Sequence, residues 1–211
     1  MKLYGFPPSP NTWKVRAVAA HLGLPLEFEL VDLAKRQQRT PEFLALNPTG
    51  RTPVLVDGGL TLWESTAIMQ YLADQTANSL WPDDARTRAD IIRWQSWQLA
   101  HFSAEACGPV IMERVVKAVL NLGPPDPAIV EKGTEAFDRD ARMLDGHLAK
   151  QPYLAGDDLT LADFAVAAPL FLAARAELSI APYAHLRDWF GRVSALPAWH
   201  ATAPQPVATA A

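Results

Sequence analysis

Two short stretches of the chain place hydrogen-bond donors where a helix begins. Ser9-Pro10-Asn11 puts a hydroxyl and an amide at the turn that leads into Thr12-Trp13-Lys14-Val15. Ser suits an N-cap and Pro the first helical position. The donors therefore sit beside backbone N–H groups that no helical carbonyl satisfies. Ser65, directly after Glu64, opens a second helix and reads as its cap. A helix start attracts negative charge, because its free N–H groups and the positive end of the peptide dipole point outward. The chemistry on offer is the holding of an anion. The plainer account of each serine is a hydroxyl that serves only its own helix.

Other reactive side chains offer less. Cys107 is the only cysteine, so no internal disulfide can form. A lone thiol within a helical stretch reads as core packing. The five histidines show no metal-ligand spacing, and no metal is expected. The net charge of −4 comes without a long Lys/Arg cluster, which argues against a nucleic-acid partner. The longest apolar-rich run, Phe164 to Ala174, falls short of the roughly 20 residues of a membrane span. The start of the chain lacks the long apolar region of a signal peptide, so the protein is read as cytoplasmic, with no membrane partner.

The elements that must position these residues fall into two halves. In the first, Lys2–Phe6 reads as a strand, and Val15, Val18, Ala19 and Leu22 share one face of the helix that Ser9-Pro10 opens. Leu26 to Leu30 alternates as a strand does. Thr40-Pro41 starts a short helix. Val54-Leu55-Val56 and Leu60-Thr61-Leu62 flank Asp57-Gly58-Gly59 as a hairpin, and a helix from Ser65 follows. The order β-α-β-α-β-β-α implies a mixed sheet of four strands. Beyond a linker at Asn78–Asp84, the spacing predicts helices over about 85–120, 127–150, 161–176 and 186–195. Pro169 should kink the third. The Ala/Pro/Thr-rich tail after Pro197 reads as frayed.

This order, with an all-helical second half, resembles the cytosolic glutathione transferases. Four segments carry the resemblance: Ser9-Pro10-Asn11-Thr12-Trp13-Lys14-Val15, Asn47-Pro48-Thr49-Gly50-Arg51-Thr52-Pro53-Val54-Leu55, Trp63-Glu64-Ser65-Thr66-Ala67-Ile68, and Leu159-Thr160-Leu161-Ala162-Asp163-Phe164. They stand in order at family spacing over nearly the whole chain. The resemblance implies an α/β thioredoxin-like N-terminal domain (residues 1–78) that binds glutathione. An all-α helical-bundle domain (residues 85–211) would follow and form the wall of the electrophile site.

It also implies roles. Ser9 or Asn11 would stabilise the glutathione thiolate; the serine matches the plant-like and insect-like classes, the asparagine a bacterial reductase-type turn. Pro53 would be a cis-proline that presents the backbone of Thr52 to the cysteinyl unit, although the family usually has Val before it. Glu64 and Ser65 would take the γ-glutamyl ammonium and carboxylate. Gln38, Arg39 and Arg51 are the candidates for the glycine carboxylate. Phe6, Pro8, Trp13 and Phe102 would line a pocket for a small hydrophobic electrophile between the halves. Thr160 and Asp163 would form a capping box. The expected activity is glutathione transfer. Glutathione-dependent disulfide or peroxide reduction, and a non-catalytic glutathione-binding module, are the alternatives. A homodimer is implied too, with Thr49 where the serine-class pattern has an interlocking Phe.

Overall fold

A computed structural model describes residues 1–204 of the chain, and within it two compact units. The first comprises residues 1–81 together with the segment from Leu196; the second spans residues 82–195. The C-terminal segment thus groups with the first unit, where the sequence reading had carried the second domain to residue 211.

The first unit runs β1 (Lys2–Gly5), α1 (Pro10–His21), β2 (Glu27–Leu30), a 3₁₀ turn (Gln37–Arg39), α2 (Pro41–Leu46), β3 (Val54–Asp57), β4 (Leu60–Trp63) and α3 (Ser65–Ala73). The sheet order is β2-β1-β3-β4. The crossover through α1 makes β1 and β2 parallel, with Leu3 opposite Phe28. β3 pairs antiparallel with β1 and with β4, setting Leu55 opposite Leu3 and Leu62. The mixed four-stranded sheet is the one expected. Leu3, Val54 and Leu55 from the strands are fully buried, as are Val15 and Val18 of α1 and Ile68, Met69 and Leu72 of α3. Burying such side chains is worth about 1.5–3 kcal/mol each.

That packing fixes the turn before α1. A Cβ on Gly5 would stand 2.5 Å from Thr12 Cγ2, so only glycine lets β1 pass so close to the helix. The Phe6 N–H donates to Thr12 Oγ1 at 3.3 Å, and the Ser9 N–H to the Phe6 carbonyl at 3.0 Å. The chain end is not frayed where it is described. Helix Pro197–Ala201 packs on α1, with Trp199 against Trp13 at 4.1 Å between ring centroids. Trp13 Nε1 donates to Thr202 Oγ1 at 3.2 Å, and Thr202 Oγ1 donates to the Ala198 carbonyl at 2.7 Å. The rest of the tail lies outside the described residues.

In the second unit the expected helix over 85–120 is one helical run with changing hydrogen bonding: α4 (Ala85–Trp97), a π-type stretch (Gln98–Cys107), α5 (Gly108–Ile111), a second π-type stretch (Met112–Val116) and α6 (Lys117–Leu120). The Gly108 N–H bonds to the Ser103 carbonyl, five residues back. This widened turn stands directly before Pro109, which has no N–H to give and whose ring crowds the preceding turn. Then come α7 (Pro127–Leu148), α8 (Leu161–Leu170) and α9 (Ala184–Ser194). Phe137, Ala141, Leu144 and Leu148 share the buried face of α7, as their spacing predicts. α8 is buried along its whole length and ends one residue after Pro169. The proline therefore lies in the last turn of the helix, and residues up to 176 do not continue it.

The α8 start is capped by side chains on both sides. Thr160 Oγ1 accepts from the Ala162 N–H at 3.3 Å, and Asp163 Oδ2 accepts from the Thr160 N–H at 2.8 Å. Asp163 Oδ1 also accepts from the Leu154 N–H at 3.0 Å and from Trp189 Nε1 at 2.8 Å. The capping box is present, and its carboxylate does more than cap.

Candidate active site

The first unit gathers most of the candidate residues at two helix starts and one loop. At α1, Ser9 is the N-cap by backbone geometry, at φ −73° and ψ 125°, and its carbonyl accepts the first helical bond from Trp13 at 2.9 Å. Its hydroxyl makes no capping bond. The plainer account of Ser9, a hydroxyl spent on its own helix, thus does not describe this residue. Asn11, on the first turn, is exposed. Its Oδ1 accepts from Ser65 Oγ at 3.4 Å, a long bond across 54 residues of sequence. With that oxygen turned to Ser65, the amide NH₂ remains a donor.

The second helix start differs from the expectation. Ser65 is the first residue of α3 rather than its cap, and Glu64 takes the N-cap position at φ +73° without a side-chain capping bond. A positive φ is uncommon for a side chain larger than Asn or Asp. It turns the chain sharply enough to leave the Glu64 side chain exposed while Ser65 is buried. An acid and a hydroxyl thus stand at the positive end of α3 with neither spent on closing the helix.

The loop before β3 is shaped by Asn47, a buried residue that the motif contained but to which no role was given. Its Nδ2 donates to the Arg51 carbonyl at 2.7 Å, and its Oδ1 accepts from the Thr49 N–H at 3.0 Å and the Thr49 hydroxyl at 2.9 Å. The Thr52–Pro53 bond that follows is cis. Gly50, at φ +63°, lets the 3₁₀ turn come close: its Cβ would stand 2.7 Å from an Arg39 guanidinium nitrogen and 3.0 Å from the Gln38 carbonyl. Gln38, Arg39 and Arg51 therefore belong to one neighbourhood, with both guanidinium side chains on exposed residues.

Two pocket candidates are misplaced by the sequence reading. Trp13 is 1% exposed and Phe102 0% exposed. Trp13 is held by Trp199 and Thr202, while Phe102 stacks on Trp97 at 5.2 Å and on Phe137 at 6.0 Å in the second unit. Both are core side chains and neither presents a ring to solvent. Phe6 and Pro8 are half-buried beside Ser9. Tyr4 lies in β1, as its position before the turn predicts. Cys107 is buried, and burial, reinforced by Asp140, pushes its thiol well above the ordinary range, so it holds its proton.

The residue that sequence reasoning passed over is Lys14. It sits on α1 and is 0% exposed, the one charged residue in this helix to be fully buried. Burial lowers its ammonium from 10.5 to about 7, and the charge of Glu64 works in the opposite direction. A signal was present: Lys14 stands four residues before Val18 on the apolar stripe of α1, where a lysine is out of pattern.

Comparison with known proteins agrees with this geometry. The family model described as "Glutathione S-transferase, N-terminal domain" matches residues 1–74, and that described as "Glutathione S-transferase, C-terminal domain" matches residues 109–197. Glutathione S-transferase 3 of Zea mays is 38% identical over 208 residues, covering 96% of this chain and 92% of its own length. The solved structure of glutathione S-transferase III in apo form aligns with a TM-score of 0.85 at 37% identity, covering 98% of each chain. That of glutathione S-transferase-I bound with lactoylglutathione aligns with a TM-score of 0.86 at 28% identity, covering 96% of this chain and 97% of its own.

Proposed function

This chain belongs to the cytosolic glutathione S-transferase family and is an enzyme with glutathione as co-substrate, and from that premise we propose how its residues divide the work. Glu64 takes the γ-glutamyl ammonium and Ser65 the adjacent carboxylate. The Thr52 backbone pairs with the cysteinyl unit as a strand edge pairs with a peptide. Gln38, Arg39 and Arg51 receive the glycine carboxylate.

The sulfur then lies at the start of α1. A free thiol has a pKa of about 8.5, so only a few per cent is thiolate at neutral pH. Lowering that value by about two units takes about 2.7 kcal/mol of preferential thiolate stabilisation. A charge-assisted hydrogen bond from Ser9 and the free N–H groups of the helix start can supply it. The observation that carries this reading is the Ser9 hydroxyl, placed as an N-cap yet making no capping bond. Asn11 is the second donor: when Ser65 exchanges its Asn11 bond for the substrate carboxylate, the Asn11 side chain is released to turn towards the sulfur. The thiolate attacks a small hydrophobic electrophile beside Phe6 and Pro8. A carbon–sulfur bond forms, the leaving group departs with its bonding pair, and the thiol proton passes to solvent.

Two copies pair as a homodimer, with a more polar contact at Thr49 than an interlocking ring would give; a monomer by light scattering at micromolar concentration would contradict it. The proposed location is the cytoplasm; among the described residues no helix is long and apolar enough to cross a membrane. The test of function is retention on immobilised glutathione together with turnover of an aryl halide and of a small disulfide. Conjugation of the halide is expected. Disulfide turnover alone would assign reduction, and retention with neither turnover would make the chain a binding module.

A further inference from the structure

Helix α1 begins with little of its own to hold it. Its N-cap Ser9 makes no side-chain capping bond, and no acidic residue stands in the first turn. A helix end of that kind frays unless something outside the helix fixes it. Contacts from elsewhere do so here. Thr12 Oγ1 accepts from the Phe6 N–H at 3.3 Å, a local tie to the end of β1. Asn11 Oδ1 accepts from Ser65 Oγ at 3.4 Å. Trp13 Nε1 donates to Thr202 Oγ1 at 3.2 Å, across 189 residues of sequence.

The last of these leads straight to Ser9. The Trp13 backbone N–H closes the first helical turn on the Ser9 carbonyl at 2.9 Å. Its indole is held at the other end. Thr202 gives its hydroxyl hydrogen to the Ala198 carbonyl at 2.7 Å, which leaves the oxygen lone pairs for the indole N–H. Trp199, from the same short helix, packs on Trp13 at 4.1 Å between ring centroids. Trp13, Trp199 and Thr202 are 1%, 3% and 8% exposed, so water hardly competes for the bond. One side chain thus runs from the C-terminal segment to the cap residue of α1. Packing alone does not require it: a phenylalanine fills such a place with no buried N–H to satisfy. Substrate binding does not release it either. In the proposed complex Ser65 leaves Asn11 for the γ-glutamyl carboxylate, and that exchange involves neither Trp13 nor Thr202.

We propose that Trp13 and Thr202 are positioning residues for glutathione activation: the C-terminal segment sets where the first turn of α1 stands, and so where the Ser9 hydroxyl meets the sulfur. The inference rests on Ser9 as the thiolate donor. Trp13 and Thr202 are too deeply buried to touch the substrate themselves. A displaced donor still bonds to the thiolate but holds it less well, because a hydrogen bond weakens as its length and angle depart from the optimum.

The experiment is thiolate absorbance of the full-length enzyme–glutathione complex, titrated across pH at a temperature where each variant is folded. Thr202→Val removes the hydroxyl at nearly constant volume. Trp13→Phe removes the indole N–H and keeps a ring against Trp199. Each should raise the thiolate pKa by about half a unit, a roughly threefold loss of thiolate at pH values below it. Thr202→Ser, which keeps the hydroxyl, should show the wild-type value. In a Ser9→Ala background Thr202→Val should add no further rise, because the donor it positions is gone. Both the Val and Phe variants should melt lower whether or not they position Ser9, so the thiolate value of the folded protein decides. Should Thr202→Val fail to fold, Trp13→Phe carries the same test in both backgrounds.

A wild-type thiolate pKa in Trp13→Phe or in Thr202→Val would overturn the proposal. So would a rise from Thr202→Val that adds in full to that of Ser9→Ala. If Ser9→Ala itself has the wild-type value, the Ser9 assignment fails. A rise in Ser9→Ala with none in Thr202→Val removes only the role of the C-terminal segment.

Discussion

The starts of α1 and α8 are built from the same kind of residue and put to opposite use. At α8, Thr160 and Asp163 close the Ala162 and Thr160 N–H groups, and the carboxylate of Asp163 also ties in Leu154 and Trp189 from outside the helix. At α1, Ser9 holds the cap position and its hydroxyl closes nothing, and no acidic residue occupies the first turn. α3 repeats the second pattern, with Glu64 at the cap and no side-chain cap bond. α2, α4 and α7 repeat the first, capped by Thr40, Asp84 and Asp126. A capped helix start is finished structure. The starts of α1 and α3, both without a side-chain cap bond, leave donors for a ligand, and the Asn11–Ser65 bond joins them.

The comparison breaks most visibly at Asp163. Asp163→Ala removes a fully buried acceptor and strands the Leu154 and Thr160 N–H groups and the Trp189 indole. A loss of about 3–5 kcal/mol is expected, the range for breaking a buried charged network. The melting temperature should fall sharply while the glutathione affinity of the folded fraction stays near wild type. A fall no larger than that of an ordinary surface substitution would show that the carboxylate only caps. Burial raises the carboxyl of Asp163 above its ordinary value, and the hydrogen bonds it accepts oppose that shift only in part.

At the open starts the effects should move from stability to binding. Glu64→Gln should weaken glutathione about 10- to 100-fold, as loss of a charge-assisted bond does, with little change in melting. Fluorescence titration or calorimetry reads the affinity, and tight binding by the variant would remove Glu64 from the site.

Lys14 adds a pH signature to the stability of the first unit. Its folded value of about 7 lies below the ordinary 10.5. Between those two pH values the unfolded chain keeps the proton that the folded chain has lost. Stability relative to Lys14→Met should therefore rise across that window, by at most about 1.4 kcal/mol per pH unit, and be flat and lowest below pH 7. Thermal melts of both proteins from pH 6 to 10 check this; parallel curves would mean that Lys14 does not titrate there. The smallest effect is on the stability of Ser9→Ala. With no capping bond to lose, that variant should melt within about 0.5 kcal/mol of wild type, below the usual cost of removing a cap.

How far these features could be read from the sequence follows the range of the interactions involved. The strand and helix order, the hairpin at Asp57-Gly58-Gly59 and the Thr160–Asp163 box depend on neighbours within a few residues, and the structure has them all. The Thr52–Pro53 bond is cis, as its motif implies. Trp13 and Phe102 were misread because an aromatic side chain suits a core and a pocket equally well, and what decides is a partner far along the chain: Thr202 stands 189 residues from Trp13. The helix at Pro197–Ala201 was hidden for the same reason, since its apolar Trp199 gains a partner only when α1 is in place. Glu64 at positive φ has no local signature either, because Gly or Asn is the residue expected there. Lys14 was visible as an exception to the α1 pattern, and its complete burial depends on elements that pack on α1 from elsewhere in the chain.

The central claim is that the uncommitted Ser9 hydroxyl holds the glutathione thiolate. Thiolate absorbance of the enzyme–glutathione complex, titrated across pH for wild type, Ser9→Ala and Asn11→Ala, tests it most directly. The account predicts a thiolate pKa raised by about one to two units in Ser9→Ala, the equivalent of roughly 1.5–3 kcal/mol, with a smaller rise in Asn11→Ala. Identical thiolate pKa values in wild type and Ser9→Ala would contradict it, and a rise confined to Asn11→Ala would move the role to the amide.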